Sequence, residues 1–474
     1  MPMCSKTFPR AALVLALTLC VLFTPALYAG EDTRKPEAAK PLEGPRADAI
    51  REFKEIVTRA AAQKAARPWL DCADFCLKHS LWEFYDDCLQ KALAADPKNA
   101  DLQRLLLHKQ VGSEWLSEDE IFAREAKAQE AKGLVYYANQ WVTPAQLEPV
   151  RAADRKQAGF DVEVRLQSPL GYVTVYSNES VDVTRRAAAI CEAAGRAYWD
   201  FYKPVFNLKL PPPLTVYLFK DKATYDRIFA KVSKNPPLPP SVIGVYDGGS
   251  KVLFVRTDTA LGGDSYLSTM SHEMVHAMDD RLAGILKNNT PHWMVEGRAE
   301  HIGTYARDGS VVIPGFVHLD GRNAAASVLA TQMEGLNLKQ FLQQSEKAGF
   351  DFSGYCLSFA FVHFLFHAEN EKYAPAFRAF LAGKPGKYST EIFEKTVGKI
   401  EDLEPAFKKY VKEVLLPGMA ASQRMSLLKE RLAATKDTQL NQQPIARPNS
   451  VPTTKYHGPP VIDASAQFQP DPGE

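Results

Sequence analysis

The chain has 474 residues, too many for one small domain and suited to roughly two or three. Hydrophobic residues make up 46% and charged residues 24%, ordinary proportions for a globular protein. A formal net charge of +1, from 57 basic and 56 acidic residues, excludes the one-sided basic excess of a nucleic-acid groove, and the acidic residues gather in no solvating tail.

Residues 1–29 read as a signal peptide. Lys6 and Arg10 form a positive start, and Ala11 to Phe23 is an apolar run. "ALYAG" then offers a cleavage site after Ala29. The run is shorter than the ~20 residues a membrane span needs, so removal rather than anchoring is expected. The mature protein is then exported, periplasmic or secreted, with no membrane span. Cleavage leaves Cys72, Cys76, Cys88, Cys191 and Cys356, an odd set in a compartment that permits disulfides. Cys76 or Cys72 could pair with Cys88 across a helical hairpin; otherwise each serves as a small buried apolar residue. No Cys-x-x-Cys occurs, which excludes a cysteine zinc ribbon.

Residues 30–47 are rich in Pro, Lys, Glu and Ala and read as a disordered linker. Residues 48–158 read as helical. "WLDCADFCLKHSLWEFYDDCLQKALAADPKNADLQRLLLHK" holds two amphipathic segments with a break near His79 and Ser80. This stretch resembles one tetratricopeptide repeat: Trp69, Ala73, Leu89, Ala92 and Pro97 fall on that pattern, while Tyr85 takes a slot usually held by a small residue. A single repeat cannot bury its own face, so it must pack on neighbouring helices or on the next domain, and this region could also recruit a protein partner. A weak duplication follows, around Trp115 in "VGSEWLSEDE" and Trp141 in "YANQWVTPAQ". Ser117 and Thr143 are placed to cap helices, and Pro144 suits a first turn.

From residue 159 to about 420 the pattern is mixed, giving an α+β class. "YVTVYS" and "PLTVYLFK" read as strands, Val181 to Tyr202 and Lys222 to Val232 as helices, and "NPPLPPS" as a rigid loop. "VIGVYDGGSKVLFV" reads as a hairpin turning on Asp247–Gly248–Gly249–Ser250. Helices are expected over "SHEMVHAMDD", over "HWMVEGRAEHIGTYA" and through most of the chain beyond. Residues 421–474 are polar, dotted with Pro and Gln, and read as a mostly disordered tail.

His272 and His276 stand four apart, with Glu273 directly after the first. Tyr266, Leu267, Met270, Met274 and Met278 give this segment an apolar helical face. One turn of helix then brings both imidazoles out on one side, where a single cation can bridge them. A zinc site wants a third protein ligand and an open position. The astacin-like spacing would put a histidine six residues after His276, where Leu282 stands. The next helix offers Glu296, Glu300, His301 and, just ahead, His292; spacing does not choose among these four.

The pattern His-Glu-Met-Val-His, followed after nineteen intervening residues by Glu296 in Trp-Met-Val-Glu-Gly-Arg-Ala-Glu, resembles the gluzincin clan of metallopeptidases. That clan includes thermolysin-like and aminopeptidase-N-like enzymes. The preceding strands look like an exported bacterial group of gluzincin-like, peptidase MA-like domains. The likeness covers residues 160–420. It implies a small mixed sheet plus active-site helices, with His272, His276 and Glu296 holding Zn²⁺ and Glu273 as general base. It also implies that Glu300 orients a histidine ligand and that Tyr355, in "GYCLSFAFVHFL", binds the oxyanion. The implied activity is zinc-dependent hydrolysis of a peptide or protein substrate. "SKVLFV" would align that substrate as an added strand, or serve only as a sheet edge. The Gly-Ala-Met-Glu-Asn stretch by which the aminopeptidase-N-like enzymes recognise a free amine is missing from the chain. The alternative is a non-catalytic scaffold with a metal-stabilised, peptidase-like fold. His363 and His367 are also four apart but lack the acid, and read as packed or partly exposed residues; Arg298 acquires no role.

Overall fold

The computed structural model describes residues 45–416, apart from 80, 106–107, 207–212, 259–264, 284–289, 304, 307–310, 313, 316–322, 347–350, 370 and 384–387. The expected signal peptide, most of the linker and the C-terminal tail lie outside the described residues. No described helix is long and apolar enough to cross a membrane.

The chain starts with α1 (Pro45–Ala62), α2 (Ala66–Lys78), α3 (Trp82–Ala95) and α4 (Ala100–Leu105). α2 and α3 pair across the break at His79, and Trp69, Ala73, Leu89 and Ala92 all turn inward. Tyr85 is buried beside them. The five described cysteines are buried and none of them is in a disulfide; the Cys72 thiol meets Cys88, and burial, then the charge and hydrogen bond of Cys88, push it up to about 11.

The next stretch differs from the all-helical expectation. β1 (Lys109–Val111) and β2 (Glu114–Leu116) form a hairpin that feeds α5 (Glu118–Glu130). β3 (Val135–Tyr137) and β4 (Gln140–Val142) repeat it and feed α6 (Pro144–Ala158). The turns explain why helix loses: Gly112 has φ +63°, and Ala138 and Asn139 have φ of 51° and 62°, values that favour tight hairpin turns. The capping expectation holds. Ser117 with Glu120, and Thr143 with Gln146, form reciprocal capping boxes. Phe122 of α5 packs on Tyr136 and Trp141 of the second hairpin, with ring centroids 4.9 and 5.8 Å away.

A five-stranded mixed sheet follows: β5 (Val164–Gln167), β6 (Val173–Ser177), β7 (Leu214–Phe219), β8 (Gly244–Asp247) and β9 (Val252–Arg256). Its order is β5-β6-β7-β9-β8; β6, β7 and β9 run parallel and the two outer strands antiparallel to their neighbours. α7 (Val181–Tyr202) links β6 to β7 and α8 (Lys222–Ser233) links β7 to β8. Period-two alternation divides the strands between two cores. Val175, Val216, Leu218, Leu253 and Val255 belong to the core shared with α7 and α9 (Ser265–Met278). Tyr217, Phe219 and Phe254 belong to the core shared with α6 and α8.

A π-helical turn, Asp279–Ala283, extends α9. α10 (His292–Gly303) comes next, then a two-stranded pair, β10 (Tyr305–Ala306) and β11 (Val311–Val312). α11 (Asn323–Gly335), α12 (Leu338–Ser345), α13 (Phe352–His367), α14 (Ala374–Leu381), α15 (Thr390–Thr396) and α16 (Ile400–Tyr410) complete the described chain. α10 packs on both α9 and α13. Two glycines set these close approaches. A Cβ on Gly297 would press into the Ser358 carbonyl oxygen of α13, and one on Gly303 would stand 3.0 Å from the His272 Cα of α9.

The hairpin over residues 244–256 forms as expected, with Asp247 Oδ2 accepting from Ser250 N at 2.7 Å in its turn. "SKVLFV", however, is not an edge. It supplies β9, which hydrogen-bonds to β7 on one side and β8 on the other. Its strand residues are all buried, as befits a central position. The edge is β8.

Candidate metal centre

α9 forms because an apolar stripe drives one side into the core: Tyr266, Leu267, Met270, Met274 and Met278 are all buried. The opposite side carries His272 and His276 toward α10. Their Nε2 atoms stand 3.0 Å apart. Glu296, from α10, places Oε2 3.3 Å from His272 Nε2 and 3.4 Å from His276 Nε2. Among the described residues, these three form a group whose donor atoms all lie within 4.8 Å of one another.

The chemistry of this cluster fits a cation. Glu296 Oε2 is buried and has no hydrogen-bond partner among the described residues, an expensive state unless something positive sits in front of it. His272 Nδ1 is 3.2 Å from Glu300 Oε1, which fixes a ring proton on that side and leaves Nε2 facing Glu296. A buried cluster of two imidazoles and a carboxylate can hold a metal ion.

The electrostatics are those of a tightly coupled set. Burial alone would favour neutral forms, but Glu296 and Glu300 hold His272 well above the ordinary imidazole range. Glu296 likewise raises His276 against burial. Burial would raise the Glu296 carboxyl, yet His276 and His272 hold it well below the usual carboxylate range. Glu273 behaves differently. Burial raises its carboxyl, and the opposing pull of His276, His272 and the Tyr246 amide does not cancel the shift. The Tyr246 N–H, on edge strand β8, donates to Glu273 Oε2 at 2.7 Å.

The four open candidates for the third donor separate cleanly. Glu296 joins the histidines, and Glu300 takes the far nitrogen of His272. His301 turns away, with Nε2 2.9 Å from His367 Nε2. His292, one turn ahead of Glu296, is partly buried, and burial lowers its pKa. Tyr355 lies near the start of α13, with its ring centroid 6.5 Å from that of His272. His363 is packed: its Nε2 donates to the Gly315 carbonyl at 2.8 Å and its Nδ1 accepts from Tyr410 Oη at 2.9 Å.

Sequence reasoning missed a neighbouring network. Arg298 and Asp279 are both fully buried, with Nη2 and Oδ1 2.8 Å apart and Nη1 and Oδ2 3.1 Å apart. Tyr198 of α7 donates to Asp279 Oδ1 at 2.6 Å. The available signal was an arginine set among Met294, Val295, Ala299 and Ile302, where burial of its side chain demands a buried acid somewhere else in the chain.

No protein-family model matches this chain, and no curated protein matches it.

Proposed function

We propose that the chain is an exported zinc-dependent peptidase of the gluzincin type. The observation that carries this reading is the convergence of His272, His276 and Glu296 from two helices, with Glu273 beside them. Two imidazoles and a carboxylate suit zinc and leave a position open for reactants. When bound, zinc supplies Lewis acidity, which polarises a substrate carbonyl and acidifies water.

The protein's own groups divide the remaining work. Glu273 takes a proton from the attacking water and delivers it to the leaving amine nitrogen. Burial raises its pKa, which makes it a stronger base for the first transfer. Tyr246 N–H holds Oε2, so proton transfer falls to Oε1. Glu300 keeps His272 in the tautomer that offers Nε2. Tyr355 is the hydroxyl assigned to the developing oxyanion.

The substrate strand belongs on β8 rather than on β9. Ile243 O and Asp247 O accept from Arg256 N and Lys251 N, so these residues face β9. Alternation then turns Gly244 and Tyr246 to the open side, where Tyr246 N–H meets Glu273. A peptide extended along that side runs past the catalytic carboxylate.

Metal analysis of the purified protein tests this reading, together with a cleavage profile on a mixed peptide library. The expected result is about one zinc per chain and cleavage that a chelator abolishes. Zinc retention with an inert library would favour the scaffold alternative.

A further inference from the structure

Arg298 stands two residues after Glu296, about 200° round the same helix. Glu296 therefore faces the histidines of α9, where a bound metal would tie the two helices, while Arg298 grips Asp279 from another side of α10. The second grip is bidentate, at 2.8 and 3.1 Å, and lies in the π-helical turn three residues after His276. Tyr198 ties α7 into it, donating to Asp279 at 2.6 Å and accepting from Arg298 Nη2 at 3.2 Å. The guanidinium also lies over the Tyr202 ring, 4.2 Å from its centroid.

A helix held at one point on its circumference can roll; one held at two widely separated points cannot. Rolling α10 by about 20° would carry a carboxylate at the ~5 Å side-chain radius through about 2 Å. Metal–ligand distances tolerate only about 0.2 Å. A fully buried ion pair adds little net stability compared with apolar residues of similar size, so geometry is the better account of its presence.

We infer that Arg298 and Asp279 are positioning residues: their ion pair fixes the roll of α10 and thereby sets the distance of Glu296 from His272 and His276. This rests on the reading of those three residues as a zinc site.

The test compares the full chain with Arg298→Met, Arg298→Lys and the double variant Asp279→Leu/Arg298→Met. Zinc dissociation constants come from chelator competition, and thermal midpoints from the metal-free proteins. Arg298→Met should weaken zinc binding by about 10–100-fold. Arg298→Lys, which keeps the charge but not the two-pronged geometry, should recover only part of that loss. The double variant leaves no buried charge unpaired and keeps the test alive if Arg298→Met does not fold. It should melt near the wild-type midpoint while retaining the zinc deficit. A double variant that binds zinc as tightly as wild type overturns the inference. A wild type that binds no zinc overturns the metal reading instead.

Discussion

The backbone N–H of Tyr246, on the outermost strand of the sheet, donates to Glu273 Oε2 at 2.7 Å. One hydrogen bond thus joins an outer strand to the proposed base, and it separates two substitutions that look alike. Glu273→Gln keeps an acceptor for Tyr246 and should leave the thermal midpoint and zinc content near wild type. Peptide cleavage should fall by about 10²–10⁴-fold. Glu273→Ala strands a buried N–H and should also destabilise the fold by about 1–3 kcal/mol. Equal cleavage rates for wild type and Glu273→Gln would remove Glu273 from the chemistry.

Metal uptake should expel protons. His272 and His276 are held above the ordinary imidazole range by Glu296, with Glu300 adding to the effect on His272, whereas metal ligation needs both rings neutral. Zinc affinity should therefore fall as pH falls through the raised values. Calorimetry in buffers of different ionisation enthalpy should show proton release on binding. Glu300→Gln removes one of the charges that raise His272, so fewer protons should be released near neutral pH. Glu300→Ala, which removes the acceptor as well as the charge, should weaken affinity by about 10–100-fold, because His272 loses its anchor. An unchanged dissociation constant in Glu300→Ala would remove that residue from the support of the site.

Gly297→Ala should act on the site through packing. The new methyl would press into the Ser358 carbonyl, and backbone cannot swing aside as a flexible side chain does. Overpacking of this kind costs about 1–3 kcal/mol. A thermal melt of the metal-free variant reads this loss, and a midpoint equal to wild type would show that α10 and α13 tolerate wider spacing.

Acid stability should depend on His301. Burial holds its pKa well below 6.5, with His363 and Arg298 adding to the shift. The unfolded chain then binds a proton below about pH 6.5 that the folded chain refuses. Stability is complete above that value and is lost as pH falls, by up to about 1.4 kcal/mol per pH unit for this one group. His301→Phe keeps the ring packing against Phe201 and Phe366, whose centroids lie 5.2 and 5.1 Å away. Denaturant titrations from pH 7 to pH 5 should show a shallower loss in the variant; parallel slopes would count against this account.

Much of the fold was legible in local pattern. Val181–Tyr202 emerges with its expected ends because Ser180 caps an uninterrupted helical periodicity. The His-x-x-x-His spacing brings two imidazoles together by helix geometry alone. What lay beyond the sequence depends on non-local packing. Choosing Glu296 over Glu300, His301 and His292 required the roll of α10, which Gly297, Gly303 and distant Ser358 help to set. The second hairpin was lost because Ala138 adopts a positive φ that its residue type does not advertise, whereas Gly112 marked the turn of the first. The interior place of β9 could have been suspected from its unbroken apolar run, since an edge strand facing water tends to alternate.

The paired hairpin–helix units carry a consequence of their own. Each unit brings its own turn and its own capping box, and the helix of the first covers the aromatic residues of the second. Such a module is self-starting and hands its unfinished side to whatever comes next. Neither unit supplies a residue to the cluster of His272, His276 and Glu296, so a substitution confined to either hairpin should leave the spacing of those three donors unchanged.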